Sequence, residues 1–225
     1  MISWMHIIDI GHTAVMIPLA GAIAAWLFAT KGWRLALWWC TVFTAGLSLV
    51  AMSKIAYLGW GMEIRALGFK ALSGHAWRSS AVLPVLFFVL MHELPRTWRA
   101  GGVLLGVALS LGLSVLLVVF KFHTSAEVVA SCILGFSAAI VFMRVSIATV
   151  PLRLRLSLWA APVSLVTFAI IWGLKPSSIT PRLVDVALYF SGRDYPYRWS
   201  RDHDHLPRSF GPAQDSKECL GRGLY

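Results

Sequence analysis

Long apolar runs separated by short polar segments organise this chain. They cover residues 13–29, 35–57, 79–91, 102–120 and 156–174, with a further run whose apolar body begins at 128–142. Their residues follow neither a period of two nor a narrow helical stripe, so each run reads as a helix that is apolar all round. A helix needs about 20 such residues to cross a bilayer. The third run is short and spans only if its helix starts near Ser73, which would put His75 in the first turn. The pattern predicts an all-α polytopic membrane protein, a six-transmembrane helix bundle over 1–174.

The polar segments refine this picture. Trp4 suits an interfacial anchor, and His6, Asp9 and His12 keep the first residues near water. No basic residue precedes the first run and no small-residue cleavage site follows it, so it is expected to stay as a membrane helix. Segment 59–77, with Gly59, Gly61, Gly68 and Gly74, reads as a loop folding back over the surface. Segment 92–101 reads as a turn. Gly102, Gly106, Ser110 and Ser114 recur every four residues, a stripe of small side chains that lets another helix approach closely. Residues 175–225 form a separate tail. It opens with an amphipathic helix over 180–190, with Thr180 as N-cap and Pro181 at N1, lying on the membrane surface. Beyond it little fixed structure is expected.

Composition agrees. The 225 residues are 58% hydrophobic and 13% charged, against about 25% charged in soluble domains. A net charge of +10 can point to nucleic acid. Here the basic residues sit in short loops and the tail, where they set topology and meet anionic lipid. Cys40, Cys132 and Cys219 have no CxxC spacing, so neither a disulfide framework nor a metal site is read. Asp202-His203-Asp204-His205 has the residue types to bind a metal, but lies in a polar tail without further ligands, and no metal or other cofactor is assigned.

The chemistry concentrates at Lys121-Phe122-His123-Thr124-Ser125-Ala126-Glu127, between two apolar runs. His123 and Glu127 are four apart, so they share a helix face. A carboxylate there accepts the proton of one imidazole nitrogen and frees the other nitrogen to attack. Ser73-Gly74-His75 supplies a second histidine at the mouth of another run, with Arg78 on the same face. Two histidines and a carboxylate at a membrane boundary fit phosphoryl transfer by a His nucleophile with a His acid. The plainer reading is that His and Glu are tolerated where the chain meets water.

The loops after the second and fourth runs hold His75 and His123 and face one side. The other side carries Lys31, Arg34, Arg96, Arg99, Arg144, Arg153 and Arg155, and is cytoplasmic by the positive-inside rule. The two histidine segments therefore share the outer face, together with Lys54, Arg65, Lys70, Arg78 and Lys121, which an anion site would use.

With these residues in view, the chain resembles the type 2 phosphatidic acid phosphatase family. That pattern has a lysine followed by Arg-Pro, then Pro-Ser-Gly-His, then Ser-Arg followed by a His and an Asp four residues later. Lys54 matches the first part, Ser73-Gly74-His75 the second, and His123 with Glu127 the third. The likeness covers roughly residue 13 to residue 174, and 183–193 resembles the tail of small bacterial members. The chain departs from the pattern at Gly61, where Arg-Pro is absent, at Leu72 in place of proline, at Leu117 in place of arginine, and at Glu127 in place of aspartate.

The resemblance implies a metal-independent lipid phosphatase of a bacterial inner membrane, its site facing the periplasm. His123 would form a phosphohistidine, oriented by Glu127. His75 would protonate the leaving oxygen and then activate water. Lys54, Arg78, Arg65, Lys121, Ser73 and Gly74 would bind phosphate. The substrate would be an isoprenyl diphosphate, a phosphatidate or a phosphatidylglycerol phosphate. Two alternatives stay open: a lipid phosphotransferase, and a non-catalytic lipid-phosphate binder that lost the motif arginines.

Overall fold

A computed structural model describes residues 13–30, 32–149, 160–173 and 180–197. Seven α-helices occur among them: α1 Thr13–Ala29, α2 Trp33–Trp60, α3 Gly74–Leu90, α4 Arg96–Val119, α5 Ser125–Thr149, α6 Ala160–Gly173 and α7 Thr180–Ser191. A single 3-10 turn, Arg65–Leu67, and one isolated bridge between Ile64 and Phe69 shape the loop after α2. There is no β-strand among the described residues.

The protein is an all-helical membrane protein. Helices α2, α4 and α5 are long and apolar enough to cross a bilayer, while α1, α3 and α6 contain shorter apolar segments. Large apolar side chains such as Met52, Leu104, Val115 and Ile133 stand exposed along the long helices. In water such faces would be costly; in lipid they are the ordinary exterior.

The short helix α3 is the centre of the bundle and packs against both α4 and α5. Burial shows its position: Ala76, Trp77, Val82 and Val85 are wholly enclosed. Lipid removes the hydrophobic drive between helices, so close approach and hydrogen bonds must hold them. The small-residue stripe does this. Gly102, Gly106, Ser110 and Ser114 are all buried, and Ser110 Oγ donates to the Ser79 carbonyl at 2.8 Å. At Gly106 a Cβ would stand 2.8 Å from both Leu83 O and Pro84 Cα, so only glycine lets α4 this close to α3. Further out, Trp39, Phe43, Trp77 and Phe142 form an aromatic core, and Trp39 Nε1 donates to Ala20 O at 2.9 Å, tying α2 to α1.

The elements follow the apolar runs, with shifts at their ends. The third helix starts at Gly74 with Ser73 as its N-cap, and His75 is in its first turn as expected. Arg96 and Arg99, expected in a turn, belong to the opening turns of α4, because Pro95 starts a helix rather than merely ending one. Arg144, expected in a basic loop, lies inside α5, which runs on to Thr149. The amphipathic helix forms as α7, packed on α2. The expectations for residues 1–12, Lys31, Arg153, Arg155 and the tail from 198 on, Cys219 and the Asp202–His205 tetrad included, lie outside the described residues.

Candidate active site

The turn 120–124 and the loop 61–73 meet at one end of the bundle, and Glu127 joins them. Thr124-Ser125-Ala126-Glu127 is a capping box. The Glu127 N–H donates to Thr124 Oγ1 at 3.3 Å, and the Thr124 N–H donates back to Glu127 Oε2 at 3.2 Å. The box fixes the carboxylate at the start of α5. His123 Nδ1 lies 2.8 Å from Oε2. An ionised carboxylate only accepts, so Nδ1 carries a proton, and in the neutral imidazole the lone pair is then on Nε2. The second oxygen, Oε1, accepts the backbone N–H of Lys70 at 3.1 Å. Glu127 is 5% exposed, and these three hydrogen bonds satisfy a carboxylate that burial alone would make costly.

Two serines hold the loop in place. Ser53 Oγ on α2 accepts the Leu72 N–H at 3.0 Å. Ser131 Oγ on α5 accepts the Ser73 N–H at 2.7 Å and donates to the Glu127 carbonyl at 2.6 Å. Ser73 in turn accepts the Ala76 N–H and caps α3. The first turn of α3, with the positive end of its dipole, is therefore tied through Ser73 and Ser131 to the helix that carries Glu127.

Arg78 stands one turn further along α3. It is buried, and its Nε has no hydrogen-bond partner among the described residues. Its guanidinium packs against Gly74, where a Cβ would lie 3.2 Å from Nη1. Lys54 is close enough to Arg78 and Glu127 for both charges to act on it. A buried guanidinium with an unmet donor beside a lysine and a helix N-terminus is an arrangement that receives an anion.

The structure thus gathers His123, Glu127, Ser73, Gly74, Arg78 and Lys54, and sets His75 in the first turn of α3. Arg65 is not in the cluster: its side chain is 76% exposed and pairs with Glu63 at 2.8 Å. Lys121 is exposed on the turn before His123, with φ of 58°. Leu117, where the resemblance has an arginine, is buried in a small apolar group with Ala76, Val128 and Cys132. Ser53, Ser131 and the Lys70 amide were not anticipated. Among the described residues no group of His, Cys, Asp and Glu is placed to hold a metal.

The chain is 30% identical over 142 residues to an "Uncharacterized 22.5 kDa protein in cps region" of Klebsiella pneumoniae, covering 63% of this chain and 68% of that protein. It belongs to the family of that protein. No family model matches the sequence, and no solved structure matches the fold.

Proposed function

We propose that this protein is a membrane lipid phosphatase of the type 2 phosphatidic acid phosphatase kind, working through a phosphohistidine. The observation that carries the reading is the 2.8 Å contact between His123 Nδ1 and Glu127 Oε2, set beside the buried, unsatisfied Arg78. The phosphate rests against Arg78, Lys54 and the Gly74 N–H at the start of α3. His123 Nε2 attacks phosphorus, and the bond to the lipid oxygen breaks as His75 protonates it. The imidazolium is stabilised by Glu127. His75 then takes a proton from water, which attacks phosphorus and releases phosphate and His123. Fixed positive groups supply most of what a phosphoryl transition state requires.

In this reading all six apolar helices span a bacterial inner membrane and the site faces the periplasm. The arginines at the ends of the helices, Arg34, Arg96, Arg99 and Arg144, and the Klebsiella pneumoniae relative support that setting. Helix α7, with exposed Tyr189 and Phe190, lies at the interface. A phosphotransferase would differ only in the acceptor. Leu117 favours a second reading, a lipid-phosphate binder without turnover, since an apolar residue replaces one phosphate donor.

The test is phosphate release by purified protein in detergent with EDTA. The substrates are an isoprenyl diphosphate, a phosphatidate and phosphatidylglycerol phosphate, with His123→Ala as the control. Release that persists in EDTA and vanishes in the variant is expected. No release from any of them, with binding retained, would put the binder first.

A further inference from the structure

On the flank of the bundle a groove of about 660 Å³ runs between α2 and α5. Leu49 and Met52 form one wall, Ala130 and Ile133 the other, and Leu72 lies against it from the loop. No charged side chain lines it. Met52 and Ile133 are 64% and 63% exposed, so in a membrane the groove opens sideways to lipid chains.

Its polar end is the candidate active site. Ser53 lines the groove and also holds the Leu72 N–H at 3.0 Å. Lys54 follows Ser53, Ser73 follows Leu72, and Ser131 follows Ala130. The three segments that build the walls carry Lys54, the capping Ser73 and Ser131, and Arg78 lies on α3, the helix that Ser73 caps. A long-chain alcohol or hydrocarbon would satisfy the apolar walls and leave Arg78 Nε unmet; a short soluble phosphate ester would do the reverse. An amphiphile with one phosphate and one long chain meets both. The volume falls in the range of clefts that hold a single small ligand, about 300–1,000 Å³.

We infer that this groove seats the hydrocarbon chain of a long-chain phosphate or diphosphate ester whose head group lies at Arg78 and Lys54. The inference rests on reading that cluster as a phosphate site. It makes chain length, rather than the head group beyond phosphate, the feature by which substrates are chosen.

The probe is hexadecyl phosphate bearing a photoreactive diazirine in mid-chain, added to the full chain in detergent, with labelled peptides mapped by mass spectrometry. Labels are expected on the α2 and α5 walls around Met52 and Ile133. Unlabelled hexadecyl phosphate should displace them and hexadecanol should not. Ile133→Trp and, from the other wall, Met52→Trp should each lower the labelling about tenfold, and Leu104→Trp on the outer face of α4 should not. Labelling spread over Leu104 and Val115, equal displacement by hexadecanol, or indifference to both groove variants overturns the inference. Phosphate release measured in parallel separates the two readings. Groove labelling without release removes the hydrolase and keeps the groove; release with spread labelling does the opposite.

Discussion

Ser131 and Ser73 lie 58 positions apart and share one buried hydrogen bond of 2.7 Å, from the Ser73 N–H to Ser131 Oγ. That bond sets the register between the segment bearing His75 and the helix bearing Glu127. Ser131→Ala leaves the Ser73 amide buried and unpaired, which costs about 1–3 kcal/mol. A lower thermal midpoint in detergent is expected, with Ser131→Thr closer to the wild type.

Glu127→Gln separates orientation from packing. With the amide oxygen in the place of Oε1 the Lys70 bond and the loop are kept, while the NH2 in the place of Oε2 faces His123 and gives up the Thr124 N–H. The amide N–H, turned to His123, makes Nδ1 an acceptor and puts the proton on Nε2. Phosphate release should fall by about 10²–10⁴, while the thermal midpoint should fall only by what one cap hydrogen bond is worth, about 0.5–2 kcal/mol. Equal losses of activity and stability would instead make Glu127 a structural cap.

Gly106 tests the approach of α4 to α3. A Cβ there meets the backbone at Leu83 and Pro84, which cannot swing aside. Gly106→Ala should destabilise by about 1–3 kcal/mol. At Gly112 a Cβ meets nothing within 4 Å. Gly112→Ala, in the same helix, should be neutral or stabilising by up to about 1 kcal/mol. Detergent melts of the two variants make the comparison.

His92, in the turn between α3 and α4, gives a pH dependence. Burial first, and then the nearby Arg99, hold its imidazole below its usual pKa, with Glu93 opposing. Its Nδ1 is buried without a partner among the described residues, and its ring stands edge-on to Phe88 at 5.7 Å. The unfolded chain therefore binds this proton more readily. The contribution to stability is whole above about pH 6.5 and is lost as pH falls from there through the lowered native value. Thermal midpoints against pH should decline more steeply for the wild type than for His92→Gln.

Much of this was legible because apolar run length speaks directly to helix existence. The Ser73 N-cap, the first-turn position of His75 and the buried stripe from Gly102 to Ser114 all follow from local spacing. The His123–Glu127 pair was legible for the same reason. The capping box Thr124-x-x-Glu127 is also a local signal, but the chemical reading of Glu127 drew attention from it. Ser131 and Ser53 were not legible: their roles depend on backbone N–H groups brought from distant segments, and serines on apolar helices usually bond their own helix. Arg65 and Arg78 looked alike as free cations. Only packing distinguishes the one paired with Glu63 from the one enclosed beside Gly74. Helix ends at Arg96 and Arg144 were missed because long basic side chains are carried on membrane helices near the interface.

The bond from the Lys70 amide to Glu127 spans 57 positions, and that distance is also an interval of time. Chains are made at about 5–20 residues per second, so the loop emerges on the order of three to ten seconds before its carboxylate. Helix α3, with Arg78 inside it, is made before α5 exists to complete the site. The nascent chain thus holds the Lys70 and Ser73 N–H groups without their acceptors during synthesis, and α5 is the segment whose arrival closes the site.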